Sequence, residues 1–112
     1  EEASKGFQTC LDLEEYTLNI FVALTDVLHF IGDFNDAIKI LLRAKELYED
    51  FAEIEYRLSG LYFLTQQEQL GLSLLETALI IDFDYHKIIK DLYPSMFENS
   101  SVQDLIQRIN NK

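Results

Sequence analysis

A fixed 34-residue interval organises this sequence. Ala3, Ala37 and Gly71 are separated by that interval, so a small residue returns at the same position three times. Five further sets keep the interval without a gap: Phe7, Leu41 and Leu75; Cys10, Ala44 and Ala78; Ile20, Ile54 and Ile88; Leu24, Leu58 and Leu92; Leu28, Tyr62 and Met96. A constant period of this size is typical of a stacked array of one supersecondary unit, in which each unit buries its apolar face against a neighbour. The interval predicts a repeat architecture; the alternative is a helical bundle whose periodicity is accidental.

Each unit is predicted to be a pair of antiparallel α-helices. In residues 18–31, apolar side chains three or four apart form one stripe on a helix of 3.6 residues per turn. The Gly-Asp pair at 32–33 interrupts that pattern as a turn does, and the same spacing returns over residues 34–48. Ala37 and Ala44 are small enough to let two helix backbones approach closely. The second helix is therefore expected to fold back on the first.

The period and its small, large and small positions resemble the tetratricopeptide repeat, and the resemblance covers nearly the whole chain. The first unit matches at Leu24, Thr25, Leu28, Gly32, Phe34, Ala37, Leu41 and Ala44. The second unit matches at Leu58, Ser59, Tyr62, Gly71, Leu75 and Ala78. The sequence departs from the family at the usual Trp, a turn Gly and the closing Pro, where it has Phe21 and Glu55, Gln66, and Glu49 and Phe83. Three copies in one register support the resemblance better than any single unit does.

The resemblance implies an all-α fold: a right-handed α-α superhelix, or solenoid, of antiparallel helix pairs with 34-residue repeats and a C-terminal capping helix. One domain is expected over residues 1–112. Its parts are the second helix of a truncated repeat plus a linker (1–17), two repeats (18–51 and 52–85), and an incomplete repeat with the capping helix (86–112). Because Ala3, Phe7 and Cys10 match only a second helix, we expect a fragment of a longer repeat protein. The alternative is a lone capping helix at residues 1–13.

The third unit begins in register and then stops. Tyr93 occupies the small-residue position of Thr25 and Ser59, and Pro94 follows, where it removes a backbone donor and clashes with the preceding turn. Ser100 or Ser101 is expected to cap a last helix, whose apolar stripe suits a lid over the final repeat. That stripe consists of Val102, Leu105, Ile106 and Ile109.

Composition and charge restrict the partners. The formal net charge is −11 with nine Lys and Arg residues spread along the chain, which argues against binding to nucleic acid or to anionic membranes. No apolar run is long enough to span a membrane and no targeting segment is visible, so the compartment stays open, with the cytoplasm the favoured expectation. The acidic surface is expected to keep the chain soluble or to steer basic partners. The single cysteine, Cys10, falls at a small-residue packing position and is interpreted as core.

No catalytic or metal-binding constellation is evident. Asp82, Asp84 and His86 alternate at a helix junction, but this spacing matches no established ligand pattern, and carboxylates in turns commonly cap helices. His29 and His86 lie far apart in the repeat stack, and there is no nucleophile motif or Gly-rich phosphate loop. We therefore expect no enzyme, no cofactor and no metal.

In proteins of this family the first helix of each unit lines a concave groove, and the resemblance implies a peptide-binding site at the matching positions. These are Asn19, Val22, Asp26, His29 and Phe30 in the first unit, Glu53, Tyr56, Gly60, Phe63 and Leu64 in the second, and Lys87 and Lys90 in the third. Of these, the site is predicted at Asn19, Val22, Asp26, His29, Tyr56, Gly60, Phe63 and Lys87, with Tyr56 and Phe63 as the principal anchors. Phe63 packing under the next helix is an equal alternative.

The leading function hypothesis is a protein-interaction module that binds a peptide or amphipathic helix, basic rather than acidic, through its groove. A clamp for a terminal carboxylate, as in repeats that bind chaperones, is disfavoured because Val22 and Asp26 replace its Lys and Asn positions. Two alternatives remain open. One is a structural or self-associating segment, with a homodimer through the truncated N-terminal face around Phe7. The other is an accessory domain of a larger enzyme or secretion assembly.

Overall fold

The computed structural model describes residues 6–48 and 51–111, with side chains from residue 18 onward. This part of the chain is all helical and contains no strand. Its helices are α1 (Gly6–Phe30), α2 (Phe34–Leu47), α3 (Ala52–Leu64), α4 (Glu68–Ile81), α5 (Lys87–Leu92), α6 (Pro94–Phe97) and α7 (Ser100–Asn110), with a 3-10 helix at Phe83–His86. The molecule measures 53 × 34 × 21 Å along its principal axes. None of the described helices is sufficiently long and apolar to cross a membrane.

The turns after α1 and α3 have the same backbone geometry. Gly32 has φ of 84° and Gln66 has φ of 65°, so both adopt the left-handed conformation. The amide after each donates back into the preceding helix, from Asp33 to the Leu28 carbonyl at 2.8 Å and from Gln67 to the Tyr62 carbonyl at 2.7 Å. This closing bond satisfies a carbonyl that the end of the helix leaves without an intrahelical partner. The two turns are thus equivalent although only one of them has a glycine.

Small residues let each helix pair pack closely. In α2, Ala37, Leu41 and Ala44 are fully buried, and in α4 Leu75 and Ala78 are fully buried as well. The α2 residues form one apolar cluster with the face of α3 that bears Ile54, Leu58 and Leu61. A second cluster joins α3 and α4 to the C-terminal helices, and its buried members are Tyr56, Leu75, Ala78, Leu79, Ile89, Tyr93, Met96, Val102, Leu105 and Ile106.

The predicted break before residue 18 is absent. The sequence suggests one helix over residues 1–13 and a linker to residue 17, but the backbone is helical without interruption from Gly6 to Phe30. Residues 11–18 contain neither Gly nor Pro and are rich in Leu and Glu, so nothing in that stretch terminates a helix. Residues 1–5 lie outside the described part of the chain. The assignment of residues 1–17 to a truncated repeat stays a prediction.

Near the C-terminus the helical path breaks where proline predicts it. Helix α5 ends at Leu92, and Pro94 is the first residue of α6, where its missing amide costs nothing. The expected cap of α7 is wrong by one residue: the Asn99 side chain, instead of Ser100 or Ser101, accepts bonds from the amides of Ser101 and Val102. Asn99 has the extended backbone of an N-cap, whereas both serines are already inside the helix. The apolar stripe of α7 faces α4, and its residues Val102, Leu105 and Ile106 are buried there.

Candidate functional site

The residues predicted to form one binding groove are divided between surface and core. Asn19 and Lys87 are exposed, and Val22 is half-buried on α1. Asp26 and His29 line a small pocket beside α5, whereas Phe63 lines another pocket beside α6. The structure therefore brings only part of the predicted set together.

Tyr56 is not available to a partner. Its side chain is fully buried in the cluster between α3, α4 and the C-terminal helices. The hydroxyl donates to the carbonyl oxygen of Asp82 at 2.8 Å, which ties α3 to the end of α4. Burial, followed by the nearby charges of Asp82 and Asp84, raises the pKa of Tyr56 above its ordinary value. The predicted anchor is thus a core residue with a satisfied hydroxyl.

Gly60 is also covered, and the residue that covers it is Tyr93. A Cβ placed on Gly60 would lie 2.4 Å from the Tyr93 ring, so the ring is in direct contact with the backbone of α3. The Tyr93 hydroxyl donates to the Arg57 carbonyl at 3.3 Å. The sequence shows Tyr93 as a large residue in a small-residue position, but it does not show that the ring crosses onto the bare surface of Gly60. Gly60 is therefore a packing site for Tyr93 instead of an open position.

Phe63 packs on the next helix, which was the alternative to its predicted role as a binding anchor. A Cβ on Gly71 would lie 2.5 Å from the Phe63 ring, so the ring rests on the backbone of α4. One side of Phe63 remains accessible and lines a pocket of about 320 Å³. The other residues of that pocket are Leu64, Gln66, Glu68, Ser95, Met96 and Asn99.

The pocket between α1 and α5 combines apolar surface with acidic groups. It has a volume of about 160 Å³ and is lined by Asp26, His29, Phe30, Asp91 and Leu92. The Phe30 ring is 91% exposed, which is unusual for a large aromatic residue. Asp91 is exposed and has no ion-pair partner among the described residues. Small-molecule sites occupy about 300–1,000 Å³, so this pocket suits a single inserted side chain.

One wall of this pocket is held by an aromatic stack. The imidazole of His29 lies parallel to the Tyr93 ring, with the centroids 5.2 Å apart and the planes 2° apart. The His29 ring also meets the edge of Phe34 at a centroid distance of 5.7 Å. Burial lowers the pKa of His29, the Asp26 carboxylate opposes that shift, and the Arg57 charge adds to it. The net direction is downward, so the stacked imidazole favours its neutral form.

An ion-pair network lies behind the pocket. The Arg57 guanidinium, whose side chain is only 8% exposed, pairs with Asp26 on α1 and with Glu53 one turn earlier on α3 at 3.1 Å. Burial lowers the pKa of Arg57, but the hydrogen bond to Asp26 and the charges of Asp26 and Glu53 raise it, so the net shift is upward. Arg57 is thus neutralised internally and is not a positive group that a partner's carboxylate can reach.

At the acidic junction after α4, the His86 ring contacts the backbone of its own segment. The His86 Nδ1 atom lies 2.7 Å from the Phe83 carbonyl oxygen, and no group of three His, Cys, Asp or Glu residues is arranged to hold a metal ion in the described ranges 6–48 and 51–111.

Another pocket lies away from these residues. It measures about 450 Å³ between α4 and α7 and is lined mainly by polar side chains. The lining residues are Gln69, Leu72, Ser73, Glu76, Ser101, Asp104, Leu105 and Arg108. It has no exposed aromatic residue, and it contains none of the predicted site residues. The smaller α1–α5 pocket is therefore the better candidate for recognition, since aromatic anchors contribute most to protein contacts.

A scan against protein-family models, a search of curated proteins and a search of solved structures each found no match to this chain. Function is therefore inferred from the geometry and chemistry of the candidate site.

Proposed function

We propose that this chain is a protein-interaction module of the tetratricopeptide-repeat type, a right-handed solenoid of 34-residue helix pairs, without catalytic activity of its own. The equal burial of Leu41 and Leu75 and of Ala44 and Ala78 supports this arrangement. So does the shared turn geometry at positions 32 and 66, which are separated by the same interval. The chain's second helices, α2 and α4, would each cover the next first helix.

The proposed ligand is a basic amphipathic peptide that binds at the α1–α5 pocket. The single observation that supports this choice is that one pocket is lined both by the exposed Phe30 ring and by the Asp91 carboxylate, which has no ion-pair partner among the described residues. A Lys or Arg side chain fits this chemistry, because its apolar stem can lie on Phe30 and Leu92 while its charge meets Asp91. The formal net charge of −11 favours encounter with a cationic partner.

Fluorescence anisotropy with two labelled helical peptides tests this proposal. Both peptides have Leu at every fourth position; one has Lys at the intervening exposed positions and the other has Glu. We expect the Lys peptide to bind and the Glu peptide not to bind, with binding weakened by added salt. Asp91→Lys and Phe30→Ser should each reduce affinity at least tenfold.

Matched variants separate the site from general charge and apolar surface. Glu76→Lys makes the same charge change on the polar pocket of α4, and Ile80→Ser removes another exposed apolar residue. Neither should change the affinity more than about twofold. If Glu76→Lys weakens binding as much as Asp91→Lys does, the peptide senses only net charge, and the α1–α5 pocket is not the site.

A further inference from the structure

An apolar stripe on α1 is largely exposed in the part of the chain that the structure describes. Ile20, Leu24, Val27 and Ile31 are spaced three or four residues apart, and they are 40%, 45%, 57% and 69% exposed. This spacing places them on one face at the end of a helix and in the turn that follows it. The stripe is separate from the side of α1 that packs on α2, where Leu28 and Phe21 are half-buried.

Helix α3 has an equivalent apolar stripe, and in α3 that stripe is covered by the preceding helix. Ile54, Leu58 and Leu61, each one repeat interval after a member of the α1 stripe, are at most 1% exposed. They lie in one cluster with the small and large residues of the preceding helix α2. The sequence equivalent of that helix, one repeat interval earlier, is the segment with Ala3, Phe7 and Cys10. The 34-residue register therefore predicts that residues 3–13 are the segment that packs on the exposed stripe.

The chain cannot make this contact with itself in the conformation observed. Helix α1 is continuous from Gly6 to Phe30, so residues 6–13 extend along the same axis as the stripe. At 1.5 Å per residue, positions 7 and 24 of one straight helix are about 25 Å apart. The segment that fits the stripe is therefore displaced from it by the length of several turns.

We infer that a second copy of this chain covers the stripe. Residues 3–13 of each copy take, on the other copy, the place that α2 takes on α3, and the exchange is reciprocal. Such a pairing is an isologous dimer, and its contact is equivalent by register to the α2–α3 contact within the chain. This inference uses the 34-residue register proposed above and does not depend on peptide binding at the α1–α5 pocket.

The α2–α3 packing also supplies the register of the exchange. Lys45 Nζ lies 3.3 Å from Glu55 Oε1, which links the residue after Ala44 to the residue after Ile54. Moved back by one repeat interval, this link pairs Leu11 of one copy with Phe21 of the other. Cys10 and Ile20 directly precede these residues, and their equivalents, Ala44 and Ile54, lie in one apolar cluster. An Ile20→Cys variant therefore offers a direct test, because Cys10 is the chain's own single cysteine.

The test is oxidation of the Ile20→Cys variant, read on a non-reducing gel, with solution mass measured by light scattering across a concentration series. We expect a covalent dimer and, for the unmodified chain, a mass that rises toward twice 13.1 kDa. A Val27→Cys variant is the matched control, since position 27 lies about two turns from position 20 and should cross-link much less. A disulfide within one monomer would overturn the inference by showing that the segment folds back, and so would a chain that stays monomeric without cross-linking.

Surface variants complete the experiment. Leu24→Glu should shift the chain to monomer, whereas Ile80→Glu, at a site 68% exposed on α4, should leave the dimer intact. Phe7→Glu should also give monomer, and an equimolar mixture of Phe7→Glu with Leu24→Glu should recover a heterodimer through its one intact exchange contact. Loss of mass in both Leu24→Glu and Ile80→Glu would contradict the assigned surface. Binding of the Lys peptide by monomeric Leu24→Glu is measured separately. Failure of the dimer proposal can then be distinguished from failure of the peptide-binding proposal.

Discussion

The Tyr93 ring lies directly over Gly60, at a distance where a methyl group on Gly60 would overlap the ring. This contact brings the end of α5 onto α3. The Tyr93 ring is also stacked on the imidazole of His29 in α1. One aromatic residue thus joins elements from three parts of the chain. The predicted groove is partly filled by this residue, and the accessible part that remains is the pocket beside Phe30.

We predict that Gly60→Ala destabilises the fold. Overpacking a buried contact costs about 1–3 kcal/mol, more than the gain of up to about 1 kcal/mol that Ala brings to a helix. Urea denaturation of Gly60→Ala, Tyr93→Ala and the double variant measures the coupling. In the Tyr93→Ala background the Gly60→Ala change should become neutral or stabilising. Equal destabilisation in both backgrounds would mean that Tyr93 is not the obstacle.

Asp26 is expected to matter to stability more than its surface position indicates. Asp26→Asn removes the charge that pairs with Arg57 and links α1 to α3. We expect the free energy of unfolding to fall by about 1–2 kcal/mol, because the buried guanidinium loses one ion pair. The loss is limited because Glu53 still pairs with Arg57. The control is Asp36→Asn, which alters an exposed pair with Lys39 at 3.9 Å and should change stability by less than about 0.5 kcal/mol. Equal effects in the two variants would contradict the buried network.

His29 should make stability depend on pH below its ordinary pKa of 6.5. Burial depresses its pKa in the folded state, so the unfolded chain binds more protons and stability rises with pH in this range. The contribution is complete above pH 6.5 and is lost as the pH falls toward the folded-state pKa. Urea midpoints of the unmodified chain and of His29→Gln, compared at neutral pH and about one unit below 6.5, isolate this term. A difference that grows in favour of the unmodified chain on acidification would contradict the assignment.

Asn99 is predicted to determine where α7 begins. Asn99→Ala removes the acceptor of the Ser101 and Val102 amides, and loss of an N-cap costs about 1 kcal/mol. Ser100→Ala should have little effect, because Ser100 is inside the helix. Thermal denaturation followed by circular dichroism compares the two variants. The reverse order of stability would assign the cap to the serine.

Gln66→Gly should stabilise the chain. A non-glycine residue in the left-handed conformation costs about 1–2 kcal/mol, and the greater freedom of unfolded glycine offsets part of the relief. We expect a net gain of about 0.5–1 kcal/mol by urea denaturation. Gly32→Ala, at the equivalent turn, should be destabilising by a similar amount, since Gly32 has φ of 84°. A loss of stability in Gln66→Gly would show that the glutamine side chain has a role in the turn.

The sequence by itself determined the helical class, the close-packed positions and the position of the C-terminal break. Ala37, Leu41 and Ala44 follow from helical spacing and residue size, and the end of α5 follows from the covalent ring of Pro94. These features depend on local geometry, which residues within a few positions of one another decide. The 34-residue solenoid and the bound partner stay proposals.

Tertiary structure alone decided which first-helix residues remain accessible. Tyr56 and Gly60 fall at predicted groove positions, yet both are buried: Tyr56 lies in the cluster between α3, α4 and the C-terminal helices, and Gly60 lies under the Tyr93 ring. The spacing of apolar residues does not show that Arg57 pairs with Asp26, 31 residues earlier, or that α1 is continuous across the predicted linker before residue 18. Such contacts depend on how helices distant in the chain approach one another, and periodicity specifies a helix face without specifying what finally covers it.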